Sequence, residues 1–363
     1  MLPNSRIHSL ITNHYSRFFA AVLLLLVGGC SNVGYYWQSV SGQLEIWRRE
    51  RSVEEVIGDA AAPEPLKRKL ASVGRIRDFA SKELGLPDNQ SYRRYADLER
   101  PFVVWNAFAA PEFSLRPVQW CFLFTGCVSY RGYFAKADAD HFAAGLAAEG
   151  HDVYVGGVPA YSTLGWFADP VLNTFMHYPE VEIARLIFHE LAHQLVYVRD
   201  DTVFNESFAV AVEQEGVARL LARSGDQAGR AEFERNRRTR AEFTRLVRKY
   251  QSRLDALYRT GIAPEAMRER KRSILAELDS EYHGLKQAWG GFAGYDRWFA
   301  AKPNNAQIAS VALYTQRVPS FEALLKREGG DLARFYAAVK ELAGLPREQR
   351  DAQLDVLSPS GDK

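Results

Sequence analysis

The chain has 363 residues, 47% of them hydrophobic and 25% charged, which is the balance of a folded globular protein and excludes a largely disordered one. Its formal net charge of +2 lacks the basic excess that nucleic-acid binding needs, so no nucleic-acid partner is expected. The length allows one large domain or two modest ones.

The first elements read as an export signal. Arg6 and Arg17 precede the run FFAAVLLLLVGG, which is short for a membrane span and fits the core of a secretory signal. Leu26-Val27-Gly28-Gly29-Cys30 resembles a bacterial lipobox, which implies cleavage before Cys30 and a lipid on its thiol. Anchoring of this kind is physically sufficient, since each buried methylene contributes about 0.8 kcal/mol and stable anchoring takes more than one chain. Ser31, and not an aspartate, follows the cysteine, which points to the outer membrane with the chain facing the periplasm. Residues 1–29 are therefore expected to be a lipoprotein signal peptide, 30–45 a lipid-anchored tether, 46–357 the folded domain and 358–363 a loose tail.

Residues 47–85 carry Val53, Ile57, Leu66, Leu70, Val73, Ile76 and Phe79 at helical intervals, and 61–65 breaks the pattern into two helices. Residues 101–135 turn aromatic and β-branched, with Pro and Gly punctuation, and predict short strands and turns. Cys121 and Cys127 lie there. In an exported chain they predict a disulfide closing a small loop, with two buried free thiols as the other reading. Residues 135–149 read as a helix, and HDVYVGGVPAYSTLGWF as strand and loop. Helices follow at 183–198, from near Asn205 to Ser224, and as a hairpin over 228–288 divided near 261–264. The close is helical again at 305–315, 320–326 and 332–343. The fold class is thus α+β, predominantly helical, with a small β region and a long charged hairpin. Between Arg223 and Arg272 stand fifteen Lys/Arg against seven Asp/Glu. That excess reads as a solvated face, or as a contact with anionic lipid head groups.

The sequence Ile187-Phe188-His189-Glu190-Leu191-Ala192-His193-Gln194 carries the chemistry. Residues four apart share a helix face, so His189 and His193 can offer two imidazoles to one ion. Glu190 sits about 100° round the helix, where it can reach a water without ligating. Zinc hydrolysis needs this arrangement, with zinc acidifying the water and the glutamate taking its proton. The bland alternative is a core helix with satisfied histidines. A catalytic zinc usually takes three protein ligands, and the downstream candidates are Glu206, Glu213, Glu215 and His283. A short loop would fold a second helix back on the first and bring Glu206 to the ion. Asn205-Glu206-x-x-Ala resembles the second motif of the gluzincin peptidases, in which the glutamate is a ligand, although the two motifs stand closer here than in thermolysin. Glu213, two turns further along the same face, is a candidate for supporting a ligand or holding a substrate amine.

The lipobox, the Cys121/Cys127 pair with YRGYF, DVYVGGVPAYSTLGWFADP, RLIFHELAHQ, NESFA and NNAQIASVALY together resemble the bacterial family of predicted zinc aminopeptidases, many of them lipoproteins. The likeness runs through nearly the whole mature chain. It implies a gluzincin-type metallopeptidase with a zincin-like core around 183–224. It also implies one Zn2+ per chain held by His189, His193 and Glu206, and Glu190 as the base. The expected function is hydrolysis of peptide bonds in the cell envelope, first as an aminopeptidase. The alternatives are an endopeptidase on envelope proteins and a non-catalytic envelope scaffold. Among seventeen tyrosines, Tyr314 is the leading oxyanion donor, with Tyr161 and Tyr295 as rivals. Asn304-Asn305 reads as a helix cap. Residues 159–169 are expected to form an edge strand or wall beside the substrate, or else a buried loop. Asp169 joins Glu213 as a candidate anchor for an amine.

Overall fold

The computed structural model describes residues 34–122 and 126–357. The proposed signal 1–29, Cys30 and the tail 358–363 lie outside the described residues. The chain divides into two compact units, 1–48 and 49–363. The described part of the segment expected to be a tether, 34–45, is helical: α1 covers residues 34–49.

The second unit is predominantly helical α+β. It opens with strand β1 (Glu50–Ser52) and a short helix, α2 (Val53–Gly58). Ser52 and Glu55 close a reciprocal capping box at the start of α2. Helix α3 (Glu64–Lys82) follows, burying Leu70, Val73, Ile76 and Phe79, the residues whose spacing predicts it. Two small three-stranded sheets come next. One has the order β1, β2 (Arg94–Ala96), β8 (Val171–Leu172); the other has the order β6 (Arg131–Tyr133), β3 (Val104–Pro111), β7 (His151–Val158). In the second sheet β3 is central and almost wholly buried, and β7 is an outer strand antiparallel to it. Helix α4 (Lys136–Ala148) packs on β3 and β7. Strands β4 (Trp120–Phe122) and β5 (Gly126–Val128) form a separate hairpin in which Cys121 and Cys127 are disulfide-bonded.

After the short α5 (Asn173–Met176), α6 (Glu180–Leu195) and α7 (Thr202–Ser224) lie against each other. Pro179 precedes α6, and Glu180 and Glu182 occupy its first turn, where the helix dipole favours them. Ile183, Leu186, Ile187, Phe188 and Leu191 are buried, so the helix is fixed by its apolar side. Close approach of α7 requires Gly216. A Cβ there would stand 2.7 Å from the Phe188 ring and 2.8 Å from a Leu84 methyl. The charged hairpin is α8 (Gln227–Tyr258) and α9 (Pro264–Ala288), joined around Phe243, Leu246, Tyr250, Leu254, Leu278 and Tyr282. Several of its basic side chains are paired: Lys249 with Glu281, Arg253 with Glu277, Lys271 with Asp152. The remaining helices are α10 (Asp296–Ala300), α11 (Asn305–Thr315), α12 (Val318–Arg327), α13 (Leu332–Ala343) and α14 (Arg347–Leu357).

Candidate metal centre

The loop 196–201 turns the chain from α6 into α7, and contacts from both sides fix it. Asn205 bonds Val198 twice: its Nδ2 donates to the carbonyl and its Oδ1 accepts from the N–H, each at 2.7 Å. Asp201 caps α7 by accepting from the Phe204 N–H. The Arg350 guanidinium of α14 donates to the same carboxylate at 2.6 Å, both groups buried. From the other side, the Cys127 N–H donates to Asp200 at 2.6 Å. Asp200 and Gly126 both adopt positive φ, and a Cβ on Gly126 would collide with Asp200 and Arg199, so the disulfide hairpin docks on this loop through a glycine. The helix begins at Thr202, earlier than the sequence pattern indicates, which places Glu206 in its second turn.

The result is a convergence of three side chains. His193 Nε2 lies 3.2 Å from His189 Nε2, and Glu206 Oε2 lies 3.3 Å from His189 Nε2 and 3.7 Å from His193 Nε2. Ligands at about 2.0–2.1 Å on a tetrahedral ion stand about 3.3 Å apart, so the spacing fits one metal. The donor chemistry fits as well. His189 Nδ1 donates to Glu213 Oε2 at 2.9 Å, which fixes the tautomer and leaves the Nε2 lone pair facing the group. Among the described residues this trio is the grouping of His, Cys, Asp and Glu that can hold an ion.

Burial disfavours a charged His189, but hydrogen bonds to Glu206 and Glu213 outweigh it and raise the imidazole to about 10. Burial works against Glu206 and Glu213 too, yet His193 and His189 hold Glu206 at about 2, and Arg185 with His189 hold Glu213 at about 2. Binding a metal there must release a proton.

Glu190 is half-buried beside this group, and its carboxylate makes no hydrogen bond to any described side chain. Burial pushes its carboxyl up, against the charges of His189 and His193. One turn on, Gln194 pins the surrounding loops: it accepts from Asn89 at 2.7 Å and donates to Asp169 at 2.9 Å and Ser91 at 3.2 Å. Arg77, fully buried, holds the Asn89–Ser91 turn from behind through the Ser91 carbonyl at 2.9 Å. Residues 159–169 are a loop, not a strand; Asp169 ties it down by accepting from the Thr163 N–H. The outer strand before the histidines is β7, one segment earlier.

The other expected residues divide clearly. Tyr314, on α11, is raised well above the ordinary tyrosine range by burial and by the charges of Glu206 and Glu190, so its phenol is neutral and near both. Tyr161 packs against Phe134, and Tyr295 stacks on Phe243 in the core between α8 and α9. Asn304 caps α11, as its position predicts. Glu213 is taken up by His189 and by Arg185, which donates to both its oxygens at 2.9 and 3.1 Å. Glu215 pairs with Arg219, and the exposed His283 pairs with Asp279; neither reaches the group. Sequence reasoning missed Tyr130 and Tyr154, which cluster with Tyr314, and Tyr92. Tyr92 is 1% exposed at φ 64, and its hydroxyl has no partner among the described residues, while the charge of Glu190 acts on it. No local spacing signals any of the three.

A family model described as putative aminopeptidase matches residues 34–354. No curated protein and no solved structure matches the chain.

Proposed function

The chain belongs to the putative aminopeptidase family, and from that premise we propose that it is a zinc-dependent, gluzincin-type peptidase with a zincin-like core in α6 and α7. The observation that carries this reading is the convergence of His189, His193 and Glu206 at ligand spacing, with an unpaired carboxylate, Glu190, beside them.

Zinc held there would polarise a peptide carbonyl and lower the pKa of a water toward neutrality. Glu190 takes the proton from the attacking water and delivers it to the leaving amine, a role suited to a carboxyl whose pKa burial has raised. The neutral Tyr314 phenol donates to the oxygen on which charge develops. Glu213, clamped by Arg185, keeps the His189 ring oriented. The outer edge of β7 offers a line for an extended peptide.

An exopeptidase needs an anionic group for the free α-amine. Both acids singled out for this, Glu213 and Asp169, are engaged by internal partners. That favours the endopeptidase alternative within the same mechanism. Paired free and N-acetylated peptides separate the two, because an aminopeptidase loses the blocked substrate. The lipobox-like sequence supports a place in the cell envelope, with the chain tethered through Cys30 to the outer membrane and facing the periplasm.

Glu190→Gln tests the enzymatic reading. It should retain one zinc per chain and lose hydrolysis. Unchanged hydrolysis would refute Glu190 as the base, and no hydrolysis by the zinc-loaded parent would leave the scaffold alternative standing.

A further inference from the structure

We propose that α1 lies in the membrane–water interface with an aromatic face turned into the lipid. Five large apolar side chains of this helix are exposed: Tyr36 by 41%, Trp37 by 73%, Val40 by 52%, Leu44 by 37% and Trp47 by 39%. At 100° per residue they fall within an arc of about 100°. A contiguous apolar stripe of this kind, left facing solvent on a soluble protein, marks an interaction surface.

Two features identify a bilayer as the occupant. The stripe is rich in Trp and Tyr, whose amphipathic rings favour the head-group level, and the exposed Arg48 flanks it where lipid phosphates would lie. The chain length before the helix is the second. Three residues separate Cys30 from residue 34, a reach of at most about 14 Å. If Cys30 is anchored, the helix cannot leave the membrane surface. In this the inference rests on the envelope reading above. The helix is too short and too polar on its other side to span, and no described helix is long and apolar enough to cross a membrane.

The test uses the full chain reconstituted into vesicles of phosphatidylethanolamine and phosphatidylglycerol with bromine on the upper acyl carbons. The proposal expects tryptophan emission to fall by the share of Trp37 and Trp47, roughly a quarter of the total from two tryptophans in seven. The loss should vanish in the Trp37→Phe/Trp47→Phe double variant, which keeps the face apolar. A chain that sediments with the vesicles but shows no bromine quenching would overturn the proposal while leaving the anchor intact. Quenching in a chain whose Cys30 peptide has an unmodified mass would support the helix and remove the anchor. A vesicle-independent dimer that protects both tryptophans would overturn the proposal in favour of a second copy.

Discussion

Glu213→Gln separates a metal-orienting carboxylate from an ordinary buried ion pair. The Glu213 carboxylate is 1% exposed and accepts from His189 Nδ1 at 2.9 Å and from Arg185 at 2.9 and 3.1 Å. The amide leaves one oxygen to share between two donors and turns an N–H2 toward the other. If His189 loses the bond, its ring is no longer fixed with Nε2 on the ion, which typically weakens metal binding about 10–100-fold, or about 1.4–2.7 kcal/mol. Arg185 keeps Glu182 at 2.7 Å, so the cost to folding should fall toward the lower end of the roughly 3–5 kcal/mol for breaking a buried pair. Chelator competition on the folded variant reads the first effect and thermal unfolding without metal reads the second. Glu215→Gln is the control: its partner Arg219 is on a half-exposed surface, where a pair contributes about 0–1 kcal/mol. Zinc affinity within twofold of the parent in Glu213→Gln, with folding alone weakened, would refute the orienting role.

Tyr314→Phe should keep zinc content and lower kcat about a hundredfold or more, the cost of one lost oxyanion donor of about 3 kcal/mol; an unchanged kcat would remove Tyr314 from the reaction. Asp169 makes a pH prediction. Burial, partly offset by hydrogen bonds from Thr163, pushes its carboxyl up to about 6, above its unfolded value, so the folded chain holds this proton more tightly. Its contribution to stability is present below the unfolded pKa and is lost as pH rises through about 6, a step of about 3 kcal/mol at 1.36 kcal/mol per unit. Denaturant titrations of the metal-free chain between pH 4 and 7 should show this step in the parent and not in Asp169→Asn; equal slopes in both would contradict it.

The centre was legible where local periodicity alone decides geometry. His189, Glu190 and His193 share one helix, so their relation follows from 3.6 residues per turn. Glu206 follows from a loop too short to do anything but reverse the chain, and Glu213 from its two-turn spacing, although the sequence did not single out Arg185, which engages it. Tyr92 comes from a loop, and Tyr130 and Tyr154 join the cluster around Tyr314 from separate segments, by tertiary packing that leaves no periodic trace. The strands of the first small sheet are two or three residues long, too short for alternation to register. Helix α14 follows Pro346 and buries only Arg350 and Leu354, so its reason to form is the distant Asp201 and not an apolar stripe. Gly34, Ser39, Ser41 and Gly42 gave α1 the composition of a linker, and its aromatic face shows only once the helix is drawn.

Zinc K-edge absorption on the loaded full chain tests the central claim most directly. The account predicts one zinc per chain, with two imidazole nitrogens, one carboxylate oxygen and one further exchangeable oxygen at about 2.0–2.1 Å. A closed shell of four protein ligands, sulfur in the shell, or an unchanged spectrum in Glu206→Ala would contradict it.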